Sequence, residues 1–96
     1  MGTQPSQETR ASFEIKNRLG LHARAAALLV QTASRFEAEV TVAKDGQVVN
    51  GRSIMGVMML AAEQGSRIEV TTSGPQASEA LAAIRELVEA RFNESE

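Results

Sequence analysis

The sequence predicts an α+β sandwich, an open-faced, four-stranded antiparallel sheet covered on one face by three helices in the order βαββαβα. The first observation behind this prediction is the spacing of hydrophobic residues. Segments with a period of two residues, typical of strands, alternate with segments with a period of about 3.6 residues, typical of helices. The second is the pair Asp45-Gly46, a strong hairpin signal between two alternating segments. The third is that a helical segment separates each of the other successive strands, so one sheet with helices on one face accounts for the order.

Alternation of apolar and polar residues predicts the strands. Phe13 and Ile15 alternate with charged residues in the first strand. The corresponding positions are Ala38, Val40 and Val42 in the second strand and Ile68, Val70 and Thr72 in the fourth. The third strand, 47–50, follows Asp45-Gly46 and pairs antiparallel with the second, because glycine accepts the positive φ that a type I′ turn requires.

Apolar residues three and four positions apart predict the helices. The stripe comprises Ala26, Leu29, Val30 and Ala33 in the first helix and Ala77, Leu81, Ile84 and Val88 in the third. The second helix is short and covers the apolar run 54–60, with Ser53 as its predicted N-cap. Pro75 suits the start of the third helix, because the N–H that proline lacks would have no acceptor there.

The length of 96 residues allows one domain and leaves no room for a second. Residues 1–11 are polar and aperiodic and are predicted to be a disordered tail, 12–92 form the domain, and 93–96 are a C-terminal tail. The absence of cysteine excludes a disulfide scaffold, a thiolate metal site and a thiol nucleophile. The polar start resembles no signal peptide, and no apolar run reaches the roughly 18 residues of a membrane span, which predicts a cytoplasmic protein without membrane insertion.

The distribution of charge is more informative than the net charge of −2. That total argues against nucleic-acid binding, and three phenylalanines are too few stacking platforms for a single strand. Between Arg10 and Arg24 four basic residues accompany one acid, whereas between Glu86 and Glu96 four acids accompany one arginine. The first segment favours anions, although ordinary solvated charge explains either stretch equally well.

The one histidine of the chain, His22, stands where the predicted loop meets the start of the first helix. The free N–H groups and positive dipole end of a helix stabilise an anion there, and Arg24 adds a forked guanidinium. A neutral imidazole is a competent nucleophile near pH 7. This position therefore suits a phosphoryl group on a ring nitrogen, although a lone histidine at a helix start is more often a capping or surface residue. The sequence offers no ligand set for a metal and no Gly-x-Ser-x-Gly elbow.

Two separated motifs resemble the HPr family, the phosphocarriers of the bacterial phosphoenolpyruvate-dependent phosphotransferase system. They are NRLGLHARAA at 17–26 and NGRSIMGVMML at 50–60. The resemblance extends from about Ser12 to Arg91, and the element order of the family agrees with the order predicted above. It implies a phosphoryl carrier that needs no cofactor and acts as an intermediate in transfer rather than as a stand-alone catalyst.

The resemblance also implies roles for single residues. His22 matches the histidine that enzyme I, charged by phosphoenolpyruvate, phosphorylates on Nδ1 and that passes the group to an enzyme IIA. Arg24 matches the arginine that neutralises the phosphoryl group, which the amides of Ala23 and Arg24 would also face. Ser53 matches the serine that a dedicated kinase phosphorylates in some members, and a plain N-cap role explains this serine equally well.

A small apolar surface beside His22, ringed by arginines, is predicted to dock the partner proteins. The predicted docking residues are Arg18, Arg52, Ile54 and Met55. Unbranched methionine adapts to several partner surfaces, as a carrier between two proteins requires. Ala25 stands where many members have proline, and the first helix has few basic residues. Two alternatives therefore remain: transfer for sugar uptake or its regulation, or a non-transport, nitrogen-type interaction module controlled by its phosphorylation state. We expect a monomer.

Overall fold

The computed structural model describes residues 8–96 as one layer of strands and one layer of helices. The elements are β1 (Glu8–Glu14), α1 (Ala23–Ser34), β2 (Glu39–Lys44), β3 (Gln47–Asn50), α2 (Ile54–Met59), β4 (Arg67–Ser73), α3 (Ala77–Glu89) and a short 3₁₀ turn (Arg91–Asn93). This order confirms the predicted βαββαβα arrangement. Within these residues, no helix has the length and apolar character needed to cross a bilayer.

The four strands form one antiparallel sheet in the order β1-β4-β2-β3. β4 lies between β1 and β2, so that Val70 is opposite Ala11 on one side and Val42 on the other. Val42 also pairs with Val49 of β3, which extends the sheet to its far edge. The predicted open-faced sheet is therefore confirmed.

The turn between β2 and β3 has the conformation that its sequence predicts. Asp45 and Gly46 have φ angles of 51° and 84°, and Lys44 pairs with Gln47 across the turn. Positive φ at both central residues is the requirement of a type I′ turn, whose twist matches that of the strands it joins. This local signal fixes the register of the hairpin.

The core lies between the helices and the inner face of the sheet. Its large buried side chains include Phe13, Ile15, Leu29, Val42, Val57, Ile68, Val70, Ile84, Val88 and Phe92. α1 contributes mainly small side chains, since Ala25, Ala26 and Ala33 are all fully buried. These alanines let α1 approach α2 and α3 closely, which fixes the position of its first turn relative to the rest of the domain.

β1 begins at Glu8 and includes residues that the sequence analysis assigned to the tail, so the predicted start of structure near Ser12 was too late. Thr9 pairs with Thr72 of β4, and their hydroxyl oxygens lie 2.6 Å apart. Thr9 and Ala11 occupy the inner face without the large apolar side chains that mark a strand, which explains the error. Residues 1–7 of the predicted tail lie outside the described residues.

The chain reverses direction after α3 through a left-handed turn. Arg91, Phe92 and Asn93 have φ angles of 57°, 52° and 61°. For residues with a Cβ atom this conformation costs roughly 1–2 kcal/mol per residue. The Phe92 side chain is fully buried in the core, and its burial offsets that strain. The turn directs residues 94–96, called the acidic segment below, back towards the start of α1.

We expect Phe92→Ala to destabilise the domain by about 3–5 kcal/mol, because it removes a fully buried ring and leaves three strained residues without compensation. Urea unfolding followed by circular dichroism measures this change. Phe36→Ala is the matched control, since Phe36 is only half-buried and should cost clearly less. Equal losses in the two variants would contradict the structural role of Phe92.

Candidate functional site

The loop before α1 is anchored by a buried amide side chain. Asn17 is fully buried, and its Nδ2 donates to the carbonyl of Gly20 at 2.8 Å. Gly20 has a φ of 68°, and a Cβ atom there would lie 2.3 Å from the carbonyl oxygen of Ala62. The Leu21 amide donates to that same oxygen at 2.9 Å, and the Leu21 side chain is buried. These contacts fix the backbone from which His22 projects.

His22 is the N-cap residue of α1, as the sequence predicts. Its carbonyl accepts from Ala26 at 2.8 Å, but its side chain does not accept from the first-turn amides. The N–H groups of Ala23 and Arg24 therefore have no acceptor within the helix, and they lie at the positive end of its dipole. The imidazole is 28% exposed, so a partner protein can reach it. The geometry suits an anion next to this ring.

The acidic segment brings Glu94 into contact with His22, which the sequence analysis did not anticipate. Glu94 Oε2 lies 2.5 Å from His22 Nε2 and 3.0 Å from Arg24 Nη1. Its other oxygen, Oε1, accepts from Asn17 Nδ2 at 3.1 Å. One carboxylate thus joins the loop, the start of α1 and the far end of the chain. The opposite charges of 10–24 and 86–96 were the only sequence signal for this contact.

The charge state of Glu94 is set by opposing effects. Burial alone would raise the pKa of this carboxyl, whose side chain is 15% exposed. Hydrogen bonds from His22 and Asn17 oppose that effect, as does the positive charge of Arg24 and of His22 when it is protonated. Together they hold the pKa of Glu94 below its ordinary value, so the group is a carboxylate at neutral pH.

Two arginines hold the acidic segment and the turn before it in place through three further hydrogen bonds. Arg24 Nη1 donates to the carbonyl of Phe92 at 3.1 Å. Arg18 binds Glu96 twice, through its backbone amide to the backbone carbonyl and through Nη1 to Oε1, each at 2.8 Å. The loop, α1 and the acidic segment enclose an open cleft of about 450 Å³. His22, Arg24 and the predicted docking residue Arg18 all line it.

The other predicted docking arginine, Arg52, has contacts that the sequence did not indicate. Its Nη2 donates to the backbone carbonyls of Phe36 at 2.8 Å and Ala38 at 2.7 Å. Arg52 therefore ties the segment after α1 to the start of α2. This structural role does not test docking, which stays a prediction for Arg52.

The predicted docking residues Ile54 and Met55 are both at the surface, 42% and 73% exposed. Val57 and Leu60 face the core instead, so α2 is amphipathic despite its nearly continuous apolar sequence. Three further exposed apolar side chains of this region, Leu19, Met58 and Met59, were not among the predicted docking residues. We call the five exposed side chains Leu19, Ile54, Met55, Met58 and Met59 the apolar patch.

Ser53 caps α2. Its Oγ accepts from the amide of Gly56 at 3.0 Å, the contact expected of a serine N-cap. The side chain is half-buried beside Ile54. Within residues 8–96, no three or more His, Cys, Asp or Glu side chains come together as a metal-binding group.

The lowered pKa of Glu94 predicts a pH-dependent stability difference between the wild type and Glu94→Gln. The unfolded carboxyl, near its ordinary value of 4.5, binds a proton more tightly than the native one. The stabilisation is therefore complete above 4.5 and is lost as the pH falls through the lower native pKa. Chemical unfolding at several pH values between about 5.5 and 2 measures this difference.

His22, Arg24 and Asn17 face the carboxylate, and all three are unchanged in Glu94→Gln, so the difference isolates Glu94. A difference in the free energy of unfolding that stays constant over this range would contradict the contacts described above.

Comparisons with known proteins agree with this geometry. A family model described as the PTS HPr component phosphorylation site matches residues 9–90. Phosphocarrier protein HPr of Neisseria meningitidis serogroup B is 51% identical over 87 residues, 91% of this chain and 98% of that protein. HPr of Xylella fastidiosa strain Temecula1 is 52% identical over 83% of this chain and 90% of its own.

Solved structures show the same relationship. The crystal structure of HPr-C-His from Thermoanaerobacter tengcongensis superposes with a TM-score of 0.88 at 44% identity, covering 92% of this chain and 99% of its own. That of HPr from Bacillus anthracis gives 0.81 at 46% identity, covering 84% and 96%. The predicted family is confirmed: the chain belongs to the HPr phosphocarriers of the phosphotransferase system.

Proposed function

We propose that this protein accepts a phosphoryl group on His22 Nδ1 from enzyme I and donates it to an enzyme IIA. The observation that carries this proposal is the position of the imidazole. It stands at the N-cap of α1 and is partly exposed. Nε2 is hydrogen-bonded to Glu94, and no hydrogen bond to Nδ1 is found within residues 8–96. Nδ1 is therefore the ring nitrogen that is open to a reacting group.

The residues around His22 suit the charge of a phosphoryl group. The amides of Ala23 and Arg24 lie at the start of α1, where backbone N–H groups bind phosphate in many proteins. The Arg24 side chain is 53% exposed, and its contacts within the described residues use only Nη1. A guanidinium has five N–H donors, so Nη2 and Nε remain for phosphoryl oxygens.

The apolar patch supplies the docking surface in this proposal. Leu19 lines the same cleft as His22, and α2 packs against α1. A carrier must release its donor quickly in order to meet its acceptor, which favours a small patch with adaptable methionine side chains. Arg18 at the rim adds electrostatic attraction to acidic partners. Transfer serves sugar uptake or its regulation.

Ser53 is the proposed site of regulatory phosphorylation by a serine kinase. A phosphate at the N-cap would interact favourably with the first turn of α2. It would also place negative charge beside Ile54 and Met55, within the apolar patch. Docking of enzyme I would weaken, which makes the modification inhibitory.

The central experiment is incubation with phosphoenolpyruvate and enzyme I from the same organism. We expect an acid-labile phosphate adduct on the wild type and none on His22→Ala, which leaves the buried core unchanged. Mass spectrometry before and after acid treatment detects the adduct. Ser53→Ala controls for phosphate on the other candidate residue and should keep the adduct. An acid-stable adduct, or one that persists in His22→Ala, would exclude the carrier function.

Arg24→Ala should slow phosphoryl uptake at least tenfold, because a charge-assisted hydrogen bond contributes about 1.5–3 kcal/mol. The fold should persist, since more than half of the side chain is exposed. Rapid-quench kinetics with a limiting amount of enzyme I measures uptake, and thermal unfolding reports the fold. Arg35→Ala, a change at an exposed arginine further along the chain, is the control and should react normally. Uptake at the wild-type rate in Arg24→Ala would remove this arginine from the mechanism.

A further inference from the structure

We propose that Glu94 is a positioning residue for His22, holding the imidazole with its proton on Nε2 so that Nδ1 presents its lone pair to phosphorus. This inference rests on the proposed carrier function and adds a residue that lies outside both sequence motifs. Its basis is the contact between Glu94 Oε2 and His22 Nε2. A carboxylate only accepts hydrogen bonds, so the nitrogen facing it must carry the proton.

The carboxylate is itself held in position. Asn17 is fully buried and donates to Glu94 Oε1 at 3.1 Å while also binding the loop at Gly20. Arg24 donates to Oε2 at 3.0 Å. Both oxygens are thus engaged, and the imidazole meets an acceptor whose location the rest of the fold determines. The lowered pKa of Glu94 agrees, because it keeps the group ionised at neutral pH.

The arrangement also matches the charge that develops during transfer. The Nδ1 lone pair forms a bond to phosphorus while the bond between phosphorus and the donor breaks, and the electrons of that bond stay with the donor. The Nε2 proton stays in place, so the ring becomes positively charged. A carboxylate next to Nε2–H stabilises this charge, as the aspartate of a Ser-His-Asp triad stabilises its imidazolium. Glu94 therefore assists phosphoryl uptake as well as orienting the ring.

The opposite role would be autoinhibition, in which Glu94 imitates a phosphoryl group and blocks the site. The contact geometry favours positioning, since the carboxylate lies against Nε2 rather than against the nitrogen that would bond to phosphorus. Arg24 is also shared rather than sequestered, since Glu94 and Phe92 use only its Nη1. The two roles predict opposite changes in rate when the carboxylate is removed.

The test compares wild type, Glu94→Gln and Glu94→Ala, with Glu96→Ala as the matched control. Glu96 lies on the same acidic segment and pairs with Arg18, but it has no contact with His22. Proton NMR of the imidazole reports the Nε2–H hydrogen bond, and thermal unfolding reports the fold. Rapid-quench phosphorylation over a range of enzyme I concentrations separates the limiting rate constant from the half-saturating concentration.

We expect Glu94→Ala to lose the downfield, slowly exchanging Nε2–H resonance. Its limiting rate constant should fall about 10- to 100-fold, the loss typical when a metal-bound histidine loses the carboxylate that orients its ring. Glu94→Gln should be intermediate, because its amide oxygen still accepts but carries no charge. The half-saturating concentration should change little in both variants, and Glu96→Ala should keep the wild-type resonance and limiting rate constant.

An unchanged limiting rate constant in Glu94→Ala would overturn the proposal, and a faster one would establish autoinhibition instead. If Glu96→Ala lowers the limiting rate constant as much as Glu94→Ala does, the effect comes from loosening of the acidic segment, and the positioning role is also refuted. If the wild type gains no adduct on His22 at all, the carrier function fails. If the adduct forms on His22 at the same rate in the wild type and in the Glu94 variants, only the positioning role is refuted.

Discussion

The site depends on a single carboxylate that joins three parts of the chain. Glu94 accepts hydrogen bonds from Asn17 in the loop and from His22 and Arg24 at the start of α1. No other hydrogen bond of the His22 imidazole is found within residues 8–96. Because the partner groups lie in a partly buried cleft, each hydrogen bond is stronger than it would be at an open surface. The orientation of the imidazole therefore depends on residues that are far apart in the sequence.

Backbone strain near the end of the chain makes this contact possible. Three successive residues, Arg91, Phe92 and Asn93, adopt positive φ angles, which reverse the chain after α3. Burial of Phe92 offsets that cost within the same turn. A continuation of α3 would instead carry Glu94 away from His22. The packing of the Phe92 ring in the core is therefore coupled to the contact that orients the His22 imidazole.

Local patterns in the sequence predicted most of the fold, whereas they did not predict the contacts between residues that are distant in the sequence. The Asp45-Gly46 turn and the helix that begins after His22 both follow from neighbouring residues, and both are confirmed. Glu94 was not recognised because 72 positions separate it from His22 and nothing local indicates a left-handed turn before it. Arg52 was predicted only as a docking residue, and its structural contacts were missed for the same reason, since its acceptors are backbone carbonyls of another segment. Charge complementarity between the two ends was visible, but it names no partner atoms.

A phosphoryl carrier must bind the group well enough to accept it and weakly enough to pass it on, and the arrangement of Arg24 suits both needs. Its guanidinium is fixed through Nη1 by Glu94 and the Phe92 carbonyl, while its remaining donors point to no described partner. A phosphoryl group would share the arginine with a carboxylate rather than bind all of its donors. Competition between the carboxylate and the phosphoryl group for Arg24 would limit how strongly the phosphorylated form is stabilised. Glu94 would then have two effects. Its contact with Nε2 would favour attack by the imidazole, and its contact with Arg24 would limit how tightly that arginine binds the transferred phosphoryl group.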